Sequence, residues 1–279
     1  MPALGAPTRH GQIANRAIRE SSGIVASTTR PGVFWTLNDS GNGPVLYAIG
    51  PKGGSLGRYR LRGAQNIDWE DIAADAGRLY VADIGDNMCA RRRLTIYTLR
   101  EPDLKHTGPV RLEAVRHFRY PRGHGPMDCE AMFVRAGWAY LISKEFLRAR
   151  LYRVKLGGPG KEVVAAEYLG VLPGAAWVTA ADISRDGRHV AVLSYSAAHV
   201  YDLAAPLEEA LAGPATQVAK RLKAVLSRRR TKLVSLGQCE AICWVPAEPV
   251  RDLLVTNEER GIFRIRPVAR ATTASAPSP

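Results

Sequence analysis

The sequence predicts an all-β protein, a five-bladed β-propeller with a helical insertion in blade four; six blades is the alternative, should one spacer hide a repeat. Three observations predict it. An acid-led strand motif recurs five times, hairpin turns separate the strands of each repeat, and a basic amphipathic stretch interrupts the fourth.

The motif reads Glu20-Ser-Ser-Gly-Ile, Glu70-Asp-Ile-Ala, Glu130-Ala-Met-Phe, Asp182-Ile-Ser and Glu240-Ala-Ile-Cys, at intervals of 50, 60, 52 and 58 residues. A second strand follows each, ending in polar groups at Asp39, Asp83, Lys144, Tyr195 and Glu258. Third strands are Val45-Leu-Tyr-Ala-Ile, Leu94-Thr-Ile-Tyr, Leu151-Tyr-Arg-Val, His199-Val-Tyr and Ile262-Phe-Arg-Ile. Between strands one and two lie turns such as Asp75-Ala-Gly, Arg135-Ala-Gly and Arg185-Asp-Gly, which suit hairpins. Short strands rich in β-branched and aromatic residues, at a period near 50, match four-stranded blades.

Fourth strands are expected at Ser55–Leu61, Val110–Tyr120, Glu167–Leu172 and Lys232–Leu236. The fifth repeat lacks one, so Gln12–Ile18 is expected to pair beside Ile262–Ile265 and close the ring, removing an open edge. The propeller domain then runs over 12–267, with an insertion at 206–230 and a disordered tail at 268–279. Within the insertion, Val218, Leu222, Val225 and Leu226 fall at helical spacing opposite Lys220, Arg221, Lys223 and Arg228 to Arg230, predicting an amphipathic helix over 214–230 packed on the propeller wall.

Composition narrows the class. Apolar content of 46% is ordinary for a protein with a sizeable core, and no apolar run is long enough to span a membrane. Cys89, Cys129, Cys239 and Cys243 form no CxxC pair, and the first twenty residues carry no apolar stretch. The expectation is a cytoplasmic monomer with free thiols, or a secreted protein whose leader has been removed. A net charge of +13 is read as a solvated basic shell or an attraction for an anionic small-molecule substrate, with nucleic acid disfavoured.

In an up-and-down blade, the loop entering strand one and the loop leaving strand two open on the same face. That face would gather Glu20, Asp39, Asp68, Glu70, Asp71, Asp83, Asp86, Asp128, Glu130, Glu145, Asp182, Glu240 and Glu258, thirteen of the 26 carboxylates. Such crowding is unfavourable unless a cation or buried donors offset it. Glu20, Asp39, Glu70, Asp83, Glu130, Asp182, Glu240 and Glu258 are the candidate ligands. Hard oxygen donors suit Ca²⁺, with Mg²⁺ as the alternative. Some of the repeated acids are equally readable as stitches that accept loop amides. Asn38, Asn87, Tyr195 and Asn257 are candidate substrate contacts, Lys144 a candidate anion binder, and His124, in a Gly-flanked loop, a candidate general base.

The succession Asn38-Asp-Ser-Gly, Asp68-Trp-Glu-Asp-Ile-Ala, Asp83-Ile-Gly-Asp-Asn, Cys129-Glu-Ala, Thr179-Ala-Ala-Asp-Ile-Ser and Cys239-Glu-Ala-Ile resembles a family of bacterial, mainly actinobacterial, β-propeller proteins. The resemblance runs from about residue 19 to residue 260. The chain departs from it at Gln238-Cys-Glu-Ala, where some members have Gln-Gly-Glu-Ala, and in the expectation of no leader, where many members look secreted. More distantly it is similar to calcium-dependent propeller phytases and gluconolactonase-like propellers, which implies a metal ion in an acid-lined channel. The functional expectation is a metal-dependent hydrolase of a phosphoester, ester or lactone. The alternative is a non-catalytic module that binds a peptide, sugar or protein.

Overall fold

The computed structural model describes residues 3–157, 162–233, 236–246 and 252–267 and shows five sheets arranged as the blades of a propeller. In every blade three strands run antiparallel from the inside outward, and the innermost are Ser21–Ala26, Trp69–Asp75, Cys129–Arg135, Val178–Ile183 and Cys239–Trp244. These inner strands are buried along almost their whole length, because each is flanked by sheets on both sides.

Five hydrophobic clusters fill the five gaps between successive blades. Trp35, Tyr59, Trp69 and Ile72 close the gap between blades one and two, and Phe118, Met132, Leu141 and Tyr152 close the next. A ring of sheets thus holds five small cores in place of one central core.

Closure of the ring differs from expectation in register. The fifth blade takes its outer strand from Thr8–Gln12, which pairs antiparallel with Gly261–Ile265; Gln12–Ile18 does not form that strand. The reason is burial. Ile13 and Ile18 lie in the core between blades five and one, so the chain must leave the sheet at Gln12 and turn inward.

The outer strands also depart from the simple pattern. Ser55–Arg62 and Glu167–Val171 form where expected. Val110–Tyr120 splits into Gly108–Arg111 and Ala114–Arg119, and only the second belongs to blade two. Gly108–Arg111 reaches back to pair parallel with blade one, and Val163–Ala165 does the same to blade two, so two sheets gain a fifth strand as a strap.

In blade four the helix is shorter than its sequence pattern. It spans Ala215–Val225, and Leu226–Lys232 is the blade's outer strand, where Lys232–Leu236 was expected. Arg228 to Arg230 are therefore strand residues. An unpaired edge at Ala197–Leu203 demands a partner, and Arg229 secures it by gripping Asp202 at 2.6 Å. Val218 and Leu222 are buried in the cluster between blades three and four, so the helix packs on the propeller wall. The short helix Leu207–Ala210 follows Pro206. Residues 268–279 lie outside the described residues.

Candidate metal centre at the channel mouth

Each inner strand carries a bulge at the same place, one extra residue against its neighbour, at Ser22, Glu70, Glu130, Thr179 and Glu240. A bulge re-aims a side chain and often borders a functional site. These five positions form one tier around the axis. Two residues earlier stands an upper tier of Glu20, Asp68, Asp128, Trp177 and Gln238. The residues that follow strand two make a third set, Asp39, Ile84, Lys144, Tyr195 and Glu258, and four of them donate their backbone N–H to the upper tier's carbonyls at 3.0–3.3 Å.

This register corrects the repeat read from the acids. The bulge residue of blade one is Ser22 and of blade four Thr179, so Glu20 belongs to the upper tier and Asp182 lies three residues deeper. Likewise Ile84, and not Asp83, is the counterpart of Lys144. Aligning Ser22-Gly-Ile with Glu70-Asp-Ile and Thr179-Ala-Ala would have found the register.

Among the described residues, the tiers bring carboxylates together in one arc. Asp39, Asp68 and Glu70 each offer an oxygen within 4.8 Å of the others, and so do Glu70, Asp128 and Glu130. Glu70 is common to both groups and is 4% exposed, as is Glu130. Asp68 and Asp128 were missing from the expected ligands, although the spacing Asp68-Trp-Glu70 and Asp128-Cys-Glu130 was their signal, since residues two apart in a strand share a face. Gly85 passes beneath the arc, where any side chain would collide with Glu70 Oε1 and Asp68 Oδ2.

Electrostatics mark the same arc. Burial pushes Asp68 up to about 6, with Asp39 adding to the rise. Burial and then the neighbouring Glu130, Asp39, Asp68 and Asp128 drive Glu70 well above the carboxylate range. Burial takes Glu130 up to about 8 even though Lys144 pulls the other way. Lys144 contacts Glu130 Oε1 and sits 5.1 Å from the centre of the Tyr195 ring. Glu130 Oε2 is buried with no hydrogen-bond partner among the described residues.

The other expected ligands have different work. Asp83 accepts from Asp68 N at 3.2 Å and pairs with Arg91 at 2.7 Å. Glu240 is half-buried and takes a hydrogen bond from Gln238 Nε2 at 2.5 Å. Glu20 and Glu258 are exposed. Asn38 Oδ1 accepts from Arg19 N at 3.0 Å, and Asn257 Oδ1 from Gly261 N at 2.6 Å, so both latch loops. Asn87 is exposed. His124 lies outside the acid arc: its Nδ1 is 2.9 Å from the Tyr152 hydroxyl, and its ring packs on Tyr168. Cys129 and Cys239 are fully buried, and burial pushes both thiols up to about 12.

Asp182 accepts from Ile183 N and Trp244 N, both at 2.8 Å, and so stitches blade four to blade five. Burial raises it to about 7. A carboxyl raised on folding stabilises the fold below its unfolded pKa, and that stability is lost as pH climbs to the folded value. From pH 4 to pH 7 the wild type should therefore lose up to about 4 kcal/mol relative to Asp182→Asn, three pH units at 1.36 kcal/mol each. Melting curves of the two proteins that stay parallel over that range would exclude it.

No family model matches the sequence, and no curated protein does. Among solved structures, the chain is similar to the glutaminyl cyclase of Myxococcus xanthus, with a TM-score of 0.52 and 13% identity over 95% of this chain and 98% of that one. It is also similar to the PQQ-bound aldose sugar dehydrogenase of Streptomyces coelicolor, with a TM-score of 0.50 and 9% identity over 95% and 99% of the two chains. At such identities the likeness is one of propeller fold. No helix among the described residues is long and apolar enough to cross a membrane.

Proposed function

We propose that the protein is a divalent-cation-dependent hydrolase of a phosphoester, ester or lactone, with the cation held by the arc Asp39, Asp68, Glu70, Asp128 and Glu130. The observation that carries this reading is Glu70, buried and shared by two carboxylate triads. The orphaned Glu130 Oε2 beside it is a buried acceptor without a donor, which a cation would satisfy. Oxygen-only donors at this density suit Ca²⁺, with Mg²⁺ second. Both neighbours named above are enzymes, which is compatible with catalysis on this fold and says nothing of this chain's substrate.

The cation would polarise the scissile group and acidify a water. The water oxygen would bond to phosphorus or to the acyl carbon as the P–O or acyl C–O bond to the leaving oxygen breaks. A cation at one of the two triads would leave carboxylates of the other free, and the proton would go to one of these and then to the leaving oxygen. A carboxylate suits this role better than His124, whose Nδ1 is engaged by Tyr152. Lys144, beside Glu130, would steady a negative group on the substrate.

Ca²⁺ at a hundred times its Kd should stabilise the fold by about 2.7 kcal/mol, and a chelator should reverse the effect. Turnover on a panel of aryl phosphates, aryl esters and lactones should follow the same titration. A melting temperature indifferent to millimolar Ca²⁺ and Mg²⁺ would sink the cation. A Ca²⁺ response without turnover would favour a binding module.

A further inference from the structure

The upper tier breaks its own pattern in blade four. Where blades one, two and three place Glu20, Asp68 and Asp128, blade four has Trp177, 42% exposed. Its φ is +51°, a left-handed conformation that a bulky side chain rarely adopts, and its N–H is fixed to Glu145 O at 2.9 Å. Strain at an exposed aromatic residue signals a position held for a purpose other than stability.

Trp177 does not stand alone. Phe146, 68% exposed, meets it edge-on at 5.6 Å, and the Tyr195 ring lies tilted to it at 6.0 Å. Tyr195 in turn carries Lys144, which contacts Glu130. A strip of three aromatic rings therefore runs from the rim to the acid arc. Exposed aromatic surface of this kind, bordered by charge, marks a ligand site.

The chemistry along the strip selects the ligand. The rings take a planar group by stacking. One ring further in, Lys144 and a cation held by the arc take a negative group. Ionised around a bound cation, the surrounding carboxylates only accept hydrogen bonds, so they call for hydroxyl donors between the two. A planar base, a diol and a phosphate in that order are a nucleotide. We propose that the substrate of this site is a free nucleoside phosphate, its base stacked on Trp177 and its phosphate at Lys144 and the arc cation. This inference rests on the cation reading above. It also requires the cation, because the bare carboxylates would repel a phosphate.

The test is calorimetric titration of the full chain with AMP, ribose 5-phosphate and a ten-residue single-stranded oligonucleotide, in Ca²⁺ and in chelator. AMP should bind, and ribose 5-phosphate should bind roughly tenfold more weakly, the loss of one stacked base. Trp177→Gly should weaken AMP by the same roughly tenfold factor and leave ribose 5-phosphate unchanged. Glycine accepts the positive φ, which offsets part of the packing lost with the ring, and retained ribose 5-phosphate binding by this variant shows that lost AMP binding is not misfolding. Equal affinity for AMP and ribose 5-phosphate, or unaltered AMP binding by Trp177→Gly, would overturn the proposal. Tighter binding of the oligonucleotide would overturn the free nucleotide in favour of a strand end. A Ca²⁺ melting shift measured on the same samples separates the two readings: a shift without AMP binding defeats the nucleotide alone, whereas no shift defeats the cation.

Discussion

Asp71→Ala should lower the melting temperature by roughly 10 °C or more, the largest stability loss expected of any single channel residue. Asp71 is fully buried at the axis of the ring. Its Oδ1 accepts from Ile72 N at 2.8 Å, and its Oδ2 accepts from Met132 N at 2.8 Å and Ala181 N at 3.2 Å. One carboxyl of blade two thus joins blade three and also blade four, which is not its neighbour. Burial raises its pKa well above the usual range, and the three N–H donors oppose that rise. Alanine would leave three buried N–H groups without acceptors, at about 1–3 kcal/mol each. For a chain of this size each kcal/mol moves the midpoint by about 2–4 °C. Asp71→Asn keeps an acceptor for part of the set and should lose about half as much. Thermal unfolding in chelator, where no cation contributes, is the measurement. If both variants melt like the wild type, Asp71 is not a pin.

The contrast between Asp71 and Glu70 shows what the sequence discloses. Adjacent acids of one motif, they serve opposite ends: Asp71 is saturated by amides, while Glu70 stands in a crowd of carboxylates. The blade count was legible because strand period and turns are local properties, fixed by alternation and by glycine. The ring closure was legible in principle and missed in register, because two buried isoleucines, not strand propensity, decide where the chain leaves the sheet. The acid cluster was legible as a face, since blade geometry sends all these loops to one side. Which acids meet was not, because it depends on a one-residue bulge, and one residue of register turns a side chain to another direction. Asp83 and Asp182 pass every sequence test for a ligand, yet Arg91 and two backbone amides occupy them. His124 likewise sits in a channel-face loop, but Tyr152 and Tyr168 draw it sideways onto blade three. The aromatic strip was invisible for a different reason: Phe146, Trp177 and Tyr195 come from three loops, and nothing in their spacing announces contact.

Glu70→Gln should move the protein in two opposite directions at once. Without a cation, the buried carboxylate is penalised by desolvation and by Glu130, Asp39, Asp68 and Asp128. An amide of the same shape removes that penalty, so the variant should melt higher than the wild type in chelator at pH 8. With Ca²⁺ the order should invert. Glu70 belongs to both triads, so its loss takes a charged ligand from either half of the arc. Loss of even an outer-shell partner costs about 10–100-fold in metal affinity or activity, and a ligand should cost at least that. The Ca²⁺ response and any turnover on the substrate panel should fall together by that factor. Glu258→Gln, at an exposed acid of the same face, should change neither quantity. If Glu70→Gln instead melts lower in chelator, Glu70 is accepting hydrogen bonds as a stitch, and the arc is a structural joint without a cation. If it melts higher but still responds fully to Ca²⁺, the ion binds elsewhere on the propeller.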